Sequence, residues 1–249
     1  MRLSGHLSPQ PRLKPTPFPF GKPQMNPYPT YMKIGVDIDG VLIDTDTKGY
    51  LDFCREKLGW QTDYESFRKT HSWFVGTGQT NLSVMTKAML RFISEVEGSQ
   101  KPIEGAHKAL KQLSEIADIY LITSRGGLIR EVTEACLAQH LPDMPYKELS
   151  MDNTNKKTDS IITFGVDYYI DDSLWEISEI LKNKSVATTI IPFPAFHGVP
   201  KWEEINDPRI HLLSIWKEIK DDTEATRYPE LRQKAWKEIV EFIRQDTQE

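Results

Sequence analysis

Residues 33–45 read KIGVDIDGVLIDT, and in this stretch three aspartates follow directly after a short apolar run. The apolar residues of 32–36 predict a buried β-strand that ends where the charged residues begin. Asp37, Asp39 and Asp44 come next. Carboxylates at the end of a buried strand repel one another and lose hydration, so they require a cation, a proton or a chemical role.

The composition of the chain limits the classes of function that remain. Its 249 residues are enough for one full core and a small inserted subdomain. The net charge of -5 gives no general attraction to nucleic acid polymers or anionic membranes, and the longest apolar runs are too short to cross a bilayer. Cys54 and Cys136 both fall in predicted helices, which argues against a disulfide framework. We therefore expect a cytoplasmic protein with neither a nucleic acid polymer nor a membrane as partner.

Apolar runs alternate with segments of helical periodicity along most of the chain. Strands are predicted at 32–36, 118–122, 166–170 and 186–193, and this alternation is typical of an α/β protein with a Rossmann-like parallel sheet flanked by helices. No strand is predicted between 46 and 100, so we interpret that segment as a small helical cap inserted after the first strand. The core then comprises 32–45 and 101–249, and the proline-rich residues 1–31 are predicted to be a disordered tail.

Polar residues follow three of the predicted strands. Asp37 ends the first, Thr123 the second, and Asp171 with Asp172 a later one. Because the carboxyl ends of parallel strands meet at one edge of a sheet, these side chains should converge. Asp39 lies two positions beyond Asp37 and can share its side. Such an all-oxygen set favours Mg²⁺, whereas an EF-hand calcium loop would need helices on both sides and its glycine and glutamate at other positions.

Hydroxyl and lysine side chains near this edge have two interpretations. Thr123 and Ser124 precede a predicted helix, where they could cap its first turn or bind a phosphate together with backbone N–H groups. The two roles are compatible. Lys156 and Lys157 are most simply solvated surface charges, but opposite the acid cluster a lysine would neutralise a phosphoryl oxygen.

Four motifs in order, DIDGVLIDT, LITSR, a lysine and YYIDDS, resemble those of the haloacid dehalogenase-like hydrolase superfamily over about residues 33–195. The resemblance implies that Asp37 is the nucleophile that accepts the phosphoryl group. It implies that Asp39 is the acid/base and that its backbone carbonyl faces the metal. Asp172 would be a Mg²⁺ ligand, with Asp171 beside it, either behind the direct ligands or bound to the ion through water.

The same resemblance assigns the phosphate-binding groups. Thr123, with Ser124 beside it, would hold the phosphoryl oxygens, and the motif lysine would be Lys157 rather than Lys156. The motifs KPIEGAHKAL and VDYYIDDS are similar to those of the 5′(3′)-deoxyribonucleotidase group. The pyrimidine members of that group place an aromatic residue where this chain has Thr45.

Aromatic residues of the cap could replace that missing platform for a base. His71, Trp73 and Phe74 are the candidates, and their alternative role is packing of the cap onto the core. We thus expect a magnesium-dependent phosphomonoesterase that acts on a small phosphorylated metabolite, preferably a nucleotide, through an aspartyl-phosphate. The alternatives are a phosphatase for another ester, such as a sugar phosphate, and a catalytically idle binding domain, which the intact acid set disfavours.

Overall fold

The centre of the protein is a five-stranded sheet in which all strands run parallel. The computed structural model describes residues 31–70, 73–96, 98–151, 157–194, 206–219 and 228–247. The strands of the sheet are β1 (Met32–Val36), β4 (Ala117–Ile122), β5 (Glu148–Ser150), β6 (Tyr168–Asp171) and β7 (Thr189–Pro192). Their order is β5-β4-β1-β6-β7, so β1 lies between β4 and β6 and pairs with both.

Helices cover both faces of this sheet. They are α5 (Ala106–Leu113), α6 (Arg130–His140), α7 (Lys157–Phe164), α8 (Leu174–Lys182) and α9 (Tyr228–Asp246). Neighbouring residues of one strand belong to different apolar clusters, as expected for a strand that is buried on both sides. Ile170 packs with Leu110 and Trp236 from one set of helices, whereas Tyr169 packs with Ile177 on the opposite face. The predicted α/β fold with a Rossmann-like parallel sheet is therefore confirmed.

A helical segment follows the first strand, as the sequence predicted. It contains α1 (Thr47–Leu58), α2 (Tyr64–Thr70), α3 (Trp73–Thr77) and α4 (Leu82–Glu95). Asp46 begins α1 by accepting a hydrogen bond from the Gly49 N–H, and Gly59 ends it in the left-handed conformation. The segment has its own apolar cluster, in which Tyr50, Phe67 and Phe92 are buried.

Two short strands that the sequence did not predict join this segment to the sheet. They are β2 (Ile43–Thr45) and β3 (Gln100–Pro102), and they pair antiparallel. Because they lie at the two ends of the helical segment, the chain enters and leaves it through one ladder of hydrogen bonds. The division into a cap at 46–100 and a core at 32–45 and 101–249 remains a proposal.

The C-terminal part of the chain adds one long helix to the core. In the part that the structure describes, a short 3-10 turn at Ser214–Lys217 precedes α9. Trp236 is fully buried in the main apolar cluster. Cys54 and Cys136 are buried and unpaired. Among the described helices, none has both the length and the apolar character needed to cross a bilayer.

Candidate active site

Carboxylates from two neighbouring strands meet at the carboxyl edge of the sheet. Asp37 follows β1, Asp171 is the last residue of β6, and Asp172 comes next. One oxygen from each of these three carboxyl groups lies within 4.8 Å of the other two. Thr123 follows the adjacent strand β4 and is also buried at this edge. The convergence of residues that are far apart in sequence is the geometry expected from parallel strands.

A buried lysine lies among these carboxylates. Lys157, the first residue of α7, has a side chain that is only 2% exposed. Its Nζ lies 2.7 Å from Asp171 Oδ2 and 3.2 Å from Asp37 Oδ1. Desolvation lowers the pKa of Lys157, but the charges of Asp171 and Asp37 outweigh it and raise that pKa, so the ammonium group stays charged. Lys156, the alternative motif lysine, lies outside the described residues.

Asp171 is held in one orientation by three donors. Lys157 and the Tyr169 hydroxyl both donate to Oδ2, each at 2.7 Å, and the Ser173 N–H donates to Oδ1 at 2.7 Å. Tyr169 was predicted only as part of the strand at 166–170, so its contact with Asp171 was not expected. Its position two residues before Asp171 places both side chains on the same side of the strand.

Asp37 and Asp172 lack comparable compensation. Oδ1 of Asp37 is buried and makes no hydrogen bond within the part of the chain that the structure describes, although Lys157 lies within ion-pair distance. Burial raises the pKa of Asp37 to about 8 against the opposing charge of Lys157. Burial and the charges of Asp171 and Asp37 raise the pKa of Asp172 as well. A buried oxygen without a donor and an excess of negative charge suit a divalent cation, so these residues fit Mg²⁺.

Gly40 allows the turn after β1 to approach Asp172. Its φ is +78°, and a Cβ placed on it would lie 2.0 Å from Asp172 Oδ2. The turn is closed by hydrogen bonds from Gly40 N–H to the Ile43 carbonyl and from Ile43 N–H to the Ile38 carbonyl. A side chain at position 40 would therefore clash with the carboxylate and strain the backbone.

Asp39 pairs with an arginine instead of joining the carboxylate cluster. Arg125 donates from Nε to Asp39 Oδ2 and from Nη2 to Oδ1, both at 2.8 Å, and from Nη1 to Thr133 Oγ1 at 3.3 Å. Desolvation raises the pKa of Asp39, but the charge and hydrogen bonds of Arg125 outweigh it and hold that pKa below its usual value. The side chain of Arg125 is 6% exposed and that of Asp39 is 45% exposed, so the carboxylate is the accessible partner.

The two hydroxyl residues of the second motif have protein partners. Thr123 Oγ1 accepts a hydrogen bond from the Arg125 N–H at 3.2 Å, which is a local turn contact. Ser124 Oγ donates to Glu176 Oε1 on α8 at 2.7 Å and so links the segment after β4 to the helix after β6. Phosphate binding by Thr123, Ser124 and Lys157 therefore remains a prediction.

Of the aromatic residues proposed for substrate recognition, only Phe74 has a side chain that the structure describes. His71 lies outside the described residues, as does the side chain of Trp73. Phe74 on α3 is 47% exposed. A cleft that the sequence analysis did not anticipate opens beside the β2–β3 ladder, with Thr45 and Tyr64 in its lining together with Asp44, Asp46, Thr47, Lys48, Gly98 and Lys101.

The C-terminal helix also contributes a charged group near this edge. Arg232 on α9 is buried, and its Nη1 donates to Asp44 Oδ2 in β2 at 3.0 Å. Its positive charge offsets part of the rise in the pKa of Asp172. Sequence reasoning missed both Arg125 and Arg232 because their partners are 86 and 188 positions away.

Comparison with known proteins identifies one matching family. The model of the family described as 5′ nucleotidase, deoxy (pyrimidine), cytosolic type C protein matches residues 31–207. No sequence among the curated proteins matches the chain.

Solved structures resemble the protein in fold. CbbY from Rhodobacter sphaeroides, in complex with phosphate, has a TM-score of 0.52 at 14% identity and aligns over 76% of this chain and 96% of its own. A protein from Lactobacillus plantarum assigned as a phosphoglycolate phosphatase has a TM-score of 0.54 at 15% identity, over 76% and 98% of the two chains. At this identity the likeness bears on the fold alone.

Proposed function

The chain belongs to the family of cytosolic type C deoxy(pyrimidine) 5′-nucleotidases, a group of haloacid dehalogenase-like phosphoric monoester hydrolases, and we propose that it hydrolyses a nucleotide monophosphate through Asp37 in a Mg²⁺-dependent reaction. The observation that carries this proposal is the position of Lys157 between Asp37 and Asp171, beside Asp172. A buried cation next to a buried carboxylate whose Oδ1 accepts no hydrogen bond from the described residues is an arrangement suited to receiving an anionic group.

The reaction would take place in two displacements at phosphorus. Asp37 attacks the phosphorus, the bond to the ester oxygen breaks, and Asp39 gives its proton to the leaving alkoxide. Water then attacks the acyl phosphate, Asp39 takes a proton from that water, and inorganic phosphate leaves as the Asp37 carboxylate is restored. Covalent catalysis of this kind replaces one difficult step with two easier ones.

Electrostatic compensation is the main task of the surrounding residues. A carboxylate and a phosphate ester repel each other, and the ammonium group of Lys157 offsets part of that repulsion. Mg²⁺ held by Asp37, Asp171 and Asp172 would supply further positive charge beside the phosphoryl oxygens. Tyr169 and Ser173 fix the orientation of Asp171, so this carboxylate need not reorganise during the reaction.

The contact between Arg125 and Asp39 suits the second displacement better than the first. Its two hydrogen bonds favour the ionised carboxylate of Asp39, which is the form that accepts a proton from water. In the first displacement Asp39 must carry a proton, so its contact with Arg125 has to weaken when substrate enters. The exposed fraction of Asp39 leaves room for that change.

A nucleotide is the substrate class that the family favours, and the cleft lined by Thr45 and Tyr64 lies next to Asp39, which Thr45 contacts. A sugar phosphate is the second candidate. It is favoured by Thr45, which stands where pyrimidine nucleotidases hold an aromatic residue. An idle binding domain is disfavoured by the presence of Asp37, Asp39 and Lys157 together.

A panel of phosphorylated metabolites, assayed with added Mg²⁺, tests the proposal. We expect release of phosphate from nucleotides, loss of activity with a chelator, and loss of activity in Asp37→Asn even towards an aryl phosphate. Glu179→Gln, which changes an exposed carboxylate on α8, is the matched control and should keep its activity. Activity retained in Asp37→Asn would exclude Asp37 as the nucleophile. Equal turnover of nucleotides and sugar phosphates would exclude nucleotides as the specific substrate class.

A cytoplasmic location is also part of the proposal. Cys54 and Cys136 are buried thiols without a disulfide, as is usual in a reducing compartment. Fractionation of cells that express the tagged full chain would test it, and recovery in a membrane or secreted fraction would contradict it.

A further inference from the structure

Asp39 is held from two directions by residues of different segments. Arg125, which follows β4, donates to both of its carboxylate oxygens. On the β2 side, the Thr45 hydroxyl donates to Asp39 Oδ1 at 3.3 Å. The two donors fix the rotation of the carboxylate more closely than either would alone.

The direction of the second contact follows from a third residue. Gln100 on β3 donates from Nε2 to Thr45 Oγ1 at 3.3 Å. A hydroxyl group has a single proton, and an ionised carboxylate can only accept hydrogen bonds. Because Thr45 receives a hydrogen bond from Gln100, its own proton is available for Asp39, and the chain of donors runs from Gln100 through Thr45 to Asp39.

These residues lie at the junction between the helical segment and the sheet. Thr45 and Gln100 are register partners in the β2–β3 ladder, through which the chain enters and leaves that segment. Pairing in the ladder needs no hydroxyl group at position 45, and a valine would suit a strand at least as well. The hydroxyl group therefore has a use outside the ladder, and its acceptor is Asp39.

We propose that Thr45, oriented by Gln100, is a positioning residue that directs the carboxyl group of Asp39 towards the leaving oxygen of the substrate. The inference rests on the proposed function, because it concerns the acid/base role of Asp39. It also assigns a different task to position 45. Where the pyrimidine nucleotidases hold an aromatic residue, Thr45 of this chain contacts the acid/base.

Leaving-group dependence distinguishes this role from a structural one. An alkoxide leaving group needs a proton from a well-placed acid, whereas a nitrophenolate leaves readily without one. In Thr45→Val, kcat/KM should fall roughly tenfold for the best alkyl phosphate of the metabolite panel. For 4-nitrophenyl phosphate it should change by less than about twofold. Thr45→Ser, which keeps the hydroxyl group, should restore most of the alkyl activity.

Two further variants make the comparison specific. Gln100→Met removes the donor that orients Thr45 and should produce a loss in the same direction as Thr45→Val. Thr62→Val is the matched control, since the Thr62 hydroxyl donates only to the Leu51 carbonyl inside the helical segment, at 3.0 Å. It should leave both activities unchanged. Thermal unfolding of each variant shows whether the fold is intact.

Equal losses on both substrates in Thr45→Val, or no loss on either, would overturn the inference. Asp39→Asn separates this failure from failure of the proposed function. It should lower kcat/KM for the alkyl phosphate by at least about 100-fold. If Asp39→Asn kept its full kcat/KM for the alkyl phosphate, Asp39 would not be the acid/base. If activity on the alkyl phosphate fell in Asp39→Asn but not in Thr45→Val, only the positioning role of Thr45 would be excluded.

Discussion

Lys157 Nζ lies 2.7 Å from Asp171 Oδ2 in a pair whose two side chains are 2% and 0% exposed. Neither partner can recover hydration if the other is lost, so the pair behaves differently from a surface ion pair. The charge of each residue is compensated by the other, and the same lysine reaches Asp37. One side chain thus compensates the charge of two buried carboxylates at this edge.

Removal of Lys157 should therefore cost both stability and activity. In Lys157→Met, Asp171 is left buried without its cation, and the free energy of unfolding should fall by roughly 3 kcal/mol. Lys157→Met combined with Asp171→Asn should recover part of that stability but none of the phosphatase activity. Urea denaturation of the two single variants and the double variant gives the coupling between the residues.

A surface pair provides the control for this measurement. Lys147 lies 3.4 Å from Asp118, and its side chain is 63% exposed. Lys147→Met should change the free energy of unfolding by less than about 1 kcal/mol. If Lys157→Met were no more costly than Lys147→Met, the buried pair would not have the role assigned to it.

Stability should depend on pH and on Mg²⁺ through Asp37. The fold raises the pKa of Asp37 from 3.8 to about 8, so between these values the folded chain binds a proton that the unfolded chain has lost. Stability from this group therefore decreases as the pH rises from about 4 to about 8. Mg²⁺ competes with that proton, so the increase in Tm that it causes should be larger at pH 8.5 than at pH 5.5.

Calorimetry with Mg²⁺ and with a chelator at several pH values would measure this effect. In Asp37→Asn the pH dependence of the Mg²⁺ effect should become weaker, because the titrating group is gone. The exposed control Glu179→Gln should behave as the wild type. A gain in Tm that is independent of pH in the wild type would rule out displacement of a proton from Asp37.

The sequence predicted the parts of the fold that local periodicity determines. β1 was predicted with its observed bounds, and the segment that contains α1 and α4 was predicted to be helical. The strands β2, β3 and β5 were missed because each has three residues, too few to show a period.

Only part of the candidate site could likewise be predicted from the sequence. Carboxylates at strand ends could be located because parallel strands bring their carboxyl ends together. The partners of those carboxylates could not be identified, since contacts such as Arg125–Asp39 and Arg232–Asp44 depend on tertiary packing. The sequence contains the arginines, but it does not specify which acid each of them meets.

The pair formed by Asp44 and Arg232 should respond unequally to the loss of either partner. The side chain of Asp44 is 46% exposed and that of Arg232 is 6% exposed. In Arg232→Met, Asp44 regains water, and the free energy of unfolding should fall by no more than about 1 kcal/mol. In Asp44→Ala, Arg232 stays buried without its acceptor, which should cost roughly 2–3 kcal/mol.

Urea denaturation of both variants would measure this difference. The exposed pair formed by Arg244 and Glu115 is the control, because its side chains are 38% and 67% exposed. Arg244→Met and Glu115→Ala should each have a small effect of similar size. A larger cost for Arg232→Met than for Asp44→Ala would contradict the assignment of Arg232 as the buried partner.

Gly40 and Gly59 separate the cost of backbone strain from the cost of a clash with a carboxylate at the edge of the sheet. Both have positive φ values, +78° and +69°, so alanine at either position should cost roughly 1–2 kcal/mol of stability from the backbone alone. At Gly59 an added Cβ has nothing within 4 Å, whereas at Gly40 it would lie 2.0 Å from Asp172 Oδ2. Gly40→Ala should therefore displace Asp172, weaken the stabilisation by Mg²⁺ and lower kcat, while Gly59→Ala should keep its activity. Thermal unfolding with and without Mg²⁺, together with steady-state kinetics, measures both effects. Equal activity in the two variants would mean that the approach of Asp172 to the turn is not needed for catalysis.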